Sequence, residues 1–264
     1  MKYLKIAVSA VAVLAFGVFA YLMITNIIYK DDTIPEITMN SELITVKIAD
    51  PEKKLLEGVT ATDGKDGDLT DKIIVESVSR FVEPNVSVVT YAVCDSDNHV
   101  VKAKRKVRYS DHHKPRFTLR SSLVYSDTTA VDLRKVIGVK DDMEGDISDS
   151  LVITQADAGN ASGAYTILLR ANNAKGESVS LKIPLYIESS ADIASKIRLV
   201  KYIDYVKVGH VLNPDDYIVP GQQYDVRTET NYNAAKAGVY QVHYYVTNLN
   251  GAVGHTVLNV VVEE

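Results

Sequence analysis

Thr62-Asp63-Gly64-Lys65-Asp66-Gly67-Asp68-Leu69-Thr70-Asp71 is answered 78 residues later by Lys140-Asp141-Asp142-Met143-Glu144-Gly145-Asp146-Ile147-Ser148-Asp149. A phrase repeated at a fixed distance decides architecture first, because each copy must be one structural unit. The offset continues without a gap: Asn85 matches Gly163, Tyr91 matches Leu169, Val93 matches Ala171 and Asp95 matches Asn173. A third, more divergent copy follows 75 residues on, where Gly238-Val239-Tyr240 aligns with Gly163-Ala164-Tyr165 and Tyr244-Tyr245-Val246 with Leu169-Arg170-Ala171. The chain reads as three modules behind one apolar segment.

Within the aligned stretch, one parity collects Val89, Tyr91 and Val93, then Ile167, Leu169 and Ala171, then Val242, Tyr244 and Val246. Alternation of this kind marks a strand with one buried face. The opposite parity carries Thr90, Ala92 and Cys94, then Thr166, Arg170 and Asn172, then Gln241, His243, Tyr245 and Thr247, and is expected to face solvent. Each strand runs into a turn (Ser96-Asp97-Asn98, Ala174-Lys175-Gly176, Leu249-Asn250-Gly251) and a returning strand. Short strands at regular intervals, with many Val, Ile, Thr and Tyr, predict an all-β chain of three two-sheet sandwiches. The predicted organisation is an anchor over 1–30 and modules over 33–110, 114–189 and 194–264, the last divergent.

Several of these residues also carry a family likeness. The openings Pro35-Glu36-Ile37 and Pro115-Arg116-Phe117, the run Gly58-Val59-Thr60-Ala61-Thr62-Asp63 leading into Asp66-Gly67-Asp68-Leu69-Thr70, and the later Gly-x-Tyr strand ending near Asn-Gly resemble bacterial Ig-like surface domains, first met in a pesticidal crystal protein. The likeness covers the first two copies over nearly their full length. In the third, Pro220-Gly221-Gln222-Gln223-Tyr224-Asp225 replaces the acidic turn, so the likeness there rests on Gly238 to Val262. It implies tandem Ig-like sandwiches used as spacers or binding modules on bacterial surfaces, and implies no catalytic residues.

Residues Ile6 to Tyr29 contain no charged side chain. In helical form they extend about 36 Å, enough to cross a hydrocarbon core. A signal peptide has a shorter apolar run, and here Tyr21-Leu22-Met23-Ile24 continues past the small residues of Val18-Phe19-Ala20, so an uncleaved single-pass anchor is expected. The alternative is a secreted chain released by cleavage. Lys2 and Lys5 precede the segment whereas Asp31 and Asp32 follow Lys30, which puts the N-terminus in the cytoplasm and the modules outside the cell. A formal charge of -5 without a basic face argues against nucleic acid as a partner. The single Cys94 excludes an internal disulfide, so the sandwiches depend on core packing alone.

Chemistry-bearing motifs are few. The acidic turns invite a calcium site built on Asp63, Asp68, Asp141 and Asp146, since hard cations prefer carboxylate oxygens, but the spacing is not that of an EF-hand. The other reading is that these carboxylates cap backbone N–H groups inside tight turns. Asp111-His112-His113 matches a metal-binding signature of phosphoesterases but falls between two sandwiches and reads as linker. His243 and His255, both of outward parity, read as surface histidines. Tyr224, Tyr232 and Tyr245, in the divergent module, are candidate ligand-contacting residues because tyrosine offers rigid area with a polar tip. No phosphate loop, catalytic triad or paired-carboxylate site is present, so a non-catalytic protein without a resident cofactor is expected. The expected role is adhesion, ligand capture or spacing at the cell surface, with a protein or glycan partner. The competing reading is an accessory subunit of an envelope complex for sensing, secretion or wall assembly.

Overall fold

The computed structural model describes residues 2–28, 33–126, 132–157, 163–188, 197–222, 225–247, 251 and 253–264. The border expected between the modules over 114–189 and 194–264 lies outside them. Helix α1 (Lys2–Ile28) opens the chain. Its stretch Val8–Thr25 has a mean hydropathy of 2.2 and no part of it is buried, so it is long and apolar enough to cross a membrane. The chain divides into two compact units, Met1–Ser110 and Asp111–Glu264.

In the first unit, β1 (Glu36–Met39), β3 (Val59–Asp63) and β4 (Gly67–Asp68) form one sheet. The second sheet runs β2 (Leu43–Val46), β7 (Val100–Tyr109), β6 (Val86–Cys94), β5 (Ile74–Val78) in spatial order. β2 lies parallel to β7, and the other pairings are antiparallel. The chain thus crosses between sheets at Asn40-Ser41-Glu42. Arg105 secures that crossing: although it sits in a strand of exposed lysines, it points inward and donates to Glu57 O at 2.6 Å, Ser41 Oγ at 2.6 Å and Asn40 Oδ1 at 3.2 Å. Between the sheets, Val59, Ala61, Leu69, Val89, Tyr91, Val93 and Val107 form the core.

The second unit begins with the same plan. β8 (Arg116–Leu119), β10 (Ile137–Asp141) and β11 (Gly145–Asp146) make one sheet of the second sandwich. β9 (Val124–Ser126), β14 (Ser178–Glu188), β13 (Ala164–Asn172) and β12 (Val152–Asp157) make the other, with β9 again parallel to β14. In the third sandwich, the sheet among the described residues is the four-stranded one: β15 (Ile203–Lys207), β18 (Val253–Glu263), β17 (Gly238–Thr247), β16 (Val226–Thr230), with β15 parallel to β18. Facing it, among the described residues, are an isolated bridge between Leu199 and Ile218 and a 3-10 turn, Pro214–Tyr217. Among the described residues, loss of the acidic phrase in this copy thus coincides with absence of the three-stranded sheet the phrase builds elsewhere.

The predicted inward parity is the core. Tyr91, Leu169 and Tyr244 occupy equivalent positions and are fully buried. A buried hydroxyl needs a partner. Tyr91 donates to Leu55 O at 2.6 Å and Tyr244 to Pro214 O at 2.8 Å, each reaching a 3-10 turn that closes its sandwich. Leu169, having no hydroxyl, makes no such demand.

Candidate functional site at the seam of the second and third sandwiches

The acidic phrase builds the same turn twice. Asp63 Oδ1 accepts from the N–H groups of Lys65 and Asp66, both at 2.9 Å, and Asp141 Oδ1 from those of Met143 and Glu144, at 2.8 and 2.9 Å. Gly67 and Gly145 close the loops with φ of 72° and 77°, a left-handed conformation that costs glycine least. Asp68 and Asp146 cap the next turn through Thr70 N–H and Ser148 N–H. A further acid of each loop reaches the opposite sheet: Asp66 accepts from the N–H and hydroxyl of Ser96, and Glu144 from Ala174 N–H. The four candidate calcium carboxylates therefore serve the backbone. The N–H of Asp66 is the largest influence holding the Asp63 carboxyl below its usual range, and the Ser148 hydroxyl does the same for Asp146. Burial opposes ionisation of Asp141, but hydrogen bonds from Asn173 and from the Glu144 and Met143 N–H groups outweigh it and hold that carboxyl low as well.

The Asp-His-His segment is attached to the second sandwich. Buried His112 places Nε2 2.8 Å from Glu177 Oε2, and Glu177 also accepts from Asn173, which donates in turn to Asp141. His113 meets Asp142 Oδ2 through its N–H at 2.7 Å and its Nδ1 at 3.0 Å. The pair thus fixes the entry to β8 against the acidic turn.

The outward face expected to meet solvent does so only in part: Thr247 is exposed, Gln241, His243 and Tyr245 are half-buried, and His255 is buried. From Gly254 to Val260, β18 is buried at every residue, which requires cover on both faces. Thr256, Leu258 and Val260 face the core of the third sandwich, while His255, Val257 and Asn259 face the second. Ile203 belongs to the core of the second sandwich, and Tyr202, Tyr205, Val239 and Val261 pack against it. Ser122 Oγ accepts from Val257 N–H at 2.9 Å and donates to Val257 O at 3.4 Å, and Arg116 pairs with Glu263 at 2.6 Å. Asn259 is fully buried at this seam, and its carboxamide has no hydrogen-bond partner among the described residues.

At one end of the seam lies an aromatic and histidine ladder. Arg227, Tyr245 and His255 are direct cross-strand neighbours on β16, β17 and β18, and their planar groups stack in that order. The Arg227 guanidinium lies 4.6 Å over the Tyr245 ring, and His255 stacks on Tyr245 with centroids 4.6 Å apart. His243 Nδ1 is 2.9 Å from His255 Nε2, and His255 Nδ1 is 2.6 Å from Glu188 Oε1 at the end of β14. Tyr186 sets its ring edge-on to both imidazoles at 5.5 Å. Burial, then the neighbouring His255, depress the His243 pKa. Parity had marked these histidines as outward, which is correct for their own sheet; it carries no information about a second sandwich closing over that sheet.

The three candidate tyrosines do not share one patch. Tyr232 packs edge-on against Tyr240 on the core side of the sheet and donates to His210 O at 2.7 Å. Tyr245 stands on the other side, flanked by Arg227 and His255. Tyr224 lies outside the described residues. Cys94 is exposed, as its parity indicated. Among the described residues, no cluster of three His, Cys, Asp or Glu side chains is arranged to hold a metal ion.

No family model matches the chain, and no curated protein does. Among solved structures it is similar to the CBM51-2 (in complex with GlcNAc) and INT domains from Clostridium perfringens ZmpB, at 16% identity and a TM-score of 0.24, over 87% of this chain and 42% of that one. It is similar to human CDH23 EC21-23 at 10% identity and a TM-score of 0.24, over 86% of this chain and 100% of that one. A third is the lipoprotein BT2262 from Bacteroides thetaiotaomicron, at 12% identity and a TM-score of 0.22, over 86% of this chain and 99% of that one. Likenesses at this level carry no argument about function.

Proposed function

We propose that this chain is a membrane-tethered, non-catalytic surface protein whose Ig-like sandwiches present a binding or adhesive face outside a bacterial cell. The observation that carries the reading is the exposed apolar helix Val8–Thr25 placed ahead of an otherwise all-β, Ig-like body. The buried groups with chemical potential are occupied with structure: the acidic turns cap N–H groups, and the seam histidines bond to Glu188 and to each other. Resemblance of the first two copies to bacterial Ig-like surface modules supports the same conclusion. The partner is a protein or glycan of the cell surface.

Protease treatment of intact cells expressing the chain tests the topology. Digestion of the 33–264 portion with the N-terminus protected is the expected result; protection of the whole chain would overturn the reading. Binding of the purified full chain to surface glycans and to whole cells then tests the role, and failure to bind either would remove the adhesive function. A second reading, an accessory subunit of an envelope complex, is favoured by the small residues Ala7, Ser9, Ala10, Ala12, Ala15 and Gly17 on α1, which permit close helix contact. Replacing α1 with an unrelated anchor separates the two: an adhesive protein keeps its activity, whereas a helix-recognised subunit loses its complex.

A further inference from the structure

We infer that β16 is a self-complementary edge through which two copies of this chain pair, antiparallel and centred on Thr228, joining their third-sandwich sheets into one. The pairing goes beyond the surface role proposed above and does not depend on it.

The order β15-β18-β17-β16 gives the sheet of the third sandwich two edges. β15 is covered: Ile203 lies in the core of the second sandwich, and the Tyr205 hydroxyl meets Phe117 N–H. β16 is open, for the side chains of Arg227 and Glu229 are 67% and 53% exposed, and among the described residues no strand flanks it. Its register fixes which backbone groups face outward. Asn231 N–H donates to Gln241 O at 3.3 Å, and the Asn231 carboxamide oxygen accepts from Gln241 N–H at 2.7 Å, so these two residues are a hydrogen-bonded pair. Such pairs alternate along an antiparallel ladder, which makes Glu229 with His243 and Arg227 with Tyr245 the bonded pairs of β16. The N–H and C=O groups of Val226, Thr228 and Thr230 therefore point away from β17.

An open row of such groups is a template for another strand, and sheet proteins commonly blunt it with a bulge. The first two sandwiches do so. Their equivalent edge strands, β5 and β12, shift register between Val75 and Ser77 and between Gln155 and Asp157. β16 runs from Val226 to Thr230 against β17 without a break.

The charge pattern selects the occupant. Laid antiparallel about Thr228, a second copy sets Val226 against Thr230 and Thr228 against Thr228 as hydrogen-bonded pairs, which leaves Arg227 opposite Glu229 on both sides of the centre. Those are non-hydrogen-bonded positions, where facing side chains come closest and opposite charges stabilise the pairing. In the single chain Arg227 is held by its own Glu229 and by the Tyr245 ring, so the guanidinium is ordered at the edge before a second strand arrives. A slip of two residues either way opposes Arg227 to Arg227 or Glu229 to Glu229, and a slip of one turns the strand's faces over, so a single register is favoured. Because the contact uses the same edge of both copies, it closes at two.

Sedimentation of the full chain in detergent micelles tests the pairing through a charge-swap cycle. The wild-type chain should self-associate. Arg227→Glu sets acid against acid at both facing positions and Glu229→Arg sets cation against cation, so each variant alone should associate at least about tenfold more weakly. Mixed in equal amounts, R227E and E229R regain complementary facing pairs and should associate at near wild-type strength. Thr228→Pro provides a second measurement, since it removes one outward N–H while sparing the bonds to β17, and it too should weaken association. A monomeric wild-type chain, an association that survives each reversal (as contact through α1 alone would), a mixture that stays monomeric, or undiminished association of T228P would each overturn the proposal.

Discussion

The Tyr205 hydroxyl accepts a hydrogen bond from the Phe117 backbone N–H at 2.9 Å, so a side chain on the first strand of the third sandwich completes the backbone pairing of the first strand of the second. Burial pushes the Tyr205 pKa up to about 12, and the ring carries the Arg116 guanidinium at 5.0 Å. Removing the hydroxyl leaves a backbone donor without its partner. Tyr205→Phe should therefore destabilise the 111–264 unit by about 1–3 kcal/mol while sparing the first unit. Urea unfolding followed by a probe in each unit measures this, and equal loss in both would contradict the assignment.

Asn259 predicts a change of opposite sign. A fully buried carboxamide without a partner carries a desolvation cost that a hydrocarbon of similar volume does not. Asn259→Leu is expected to stabilise the unit by about 1–2 kcal/mol. A lowered denaturation midpoint in the variant would contradict this cost.

The repeated acidic turns make stability depend on pH in a definite direction. Asp63, Asp68, Asp141 and Asp146 are all held below their ordinary pKa in the folded chain. The unfolded chain therefore takes up protons first as pH falls. Their contribution is present above about pH 4 and is lost as pH drops through the lowered folded values. Asp141→Ala, which frees two N–H groups and the Asn173 amide, should cost about 2 kcal/mol and flatten the acid limb of a stability–pH curve. A chelator should leave the melting temperature unchanged, because backbone and side-chain donors rather than a cation satisfy these oxygens.

The equivalent positions of Tyr91, Leu169 and Tyr244 offer a comparison inside one chain. Tyr91→Phe and Tyr244→Phe each remove the bond to a 3-10 turn carbonyl and should cost about 1 kcal/mol. Leu169→Phe makes no new polar demand, and its cost is that of fitting a larger ring into a packed core, about 1–3 kcal/mol. Limited proteolysis of the three variants distinguishes the two mechanisms: the tyrosine variants should expose their own turn (52–56 or 214–217) to cleavage, whereas the leucine variant should not.

Much of this was legible in the sequence because it was written locally. The 78-residue repeat, the strand parity of Val89–Val93, Ile167–Ala171 and Val242–Val246, and the capping use of Asp63 and Asp141 all concern groups a few residues apart or on one face of one strand. What stayed hidden depends on a second body arriving. Parity states that His243 and His255 leave their own core, but it cannot state that Glu188 and Tyr186 will cover them. Parity does set Arg105 on the face of Val101, Ala103 and Val107, apart from Lys102, Lys104, Lys106 and Arg108, but it cannot state that Glu57, Asn40 and Ser41 supply its acceptors. The divergent third copy was visible as a lost acidic phrase, yet its consequence, a sandwich that keeps one four-stranded sheet and leans on its neighbour, was not.

In all three sandwiches an early strand runs parallel to the final one: β2 to β7, β9 to β14, β15 to β18. A pull delivered along the polypeptide therefore drags these strands lengthwise past one another, loading every rung between them together instead of peeling one at a time. Among the described residues the rungs number four, three and five registered residue pairs respectively. Among the described residues the middle sandwich shows the fewest such rungs, and it is the one braced by its neighbour through Ser122, Arg116 and Tyr205.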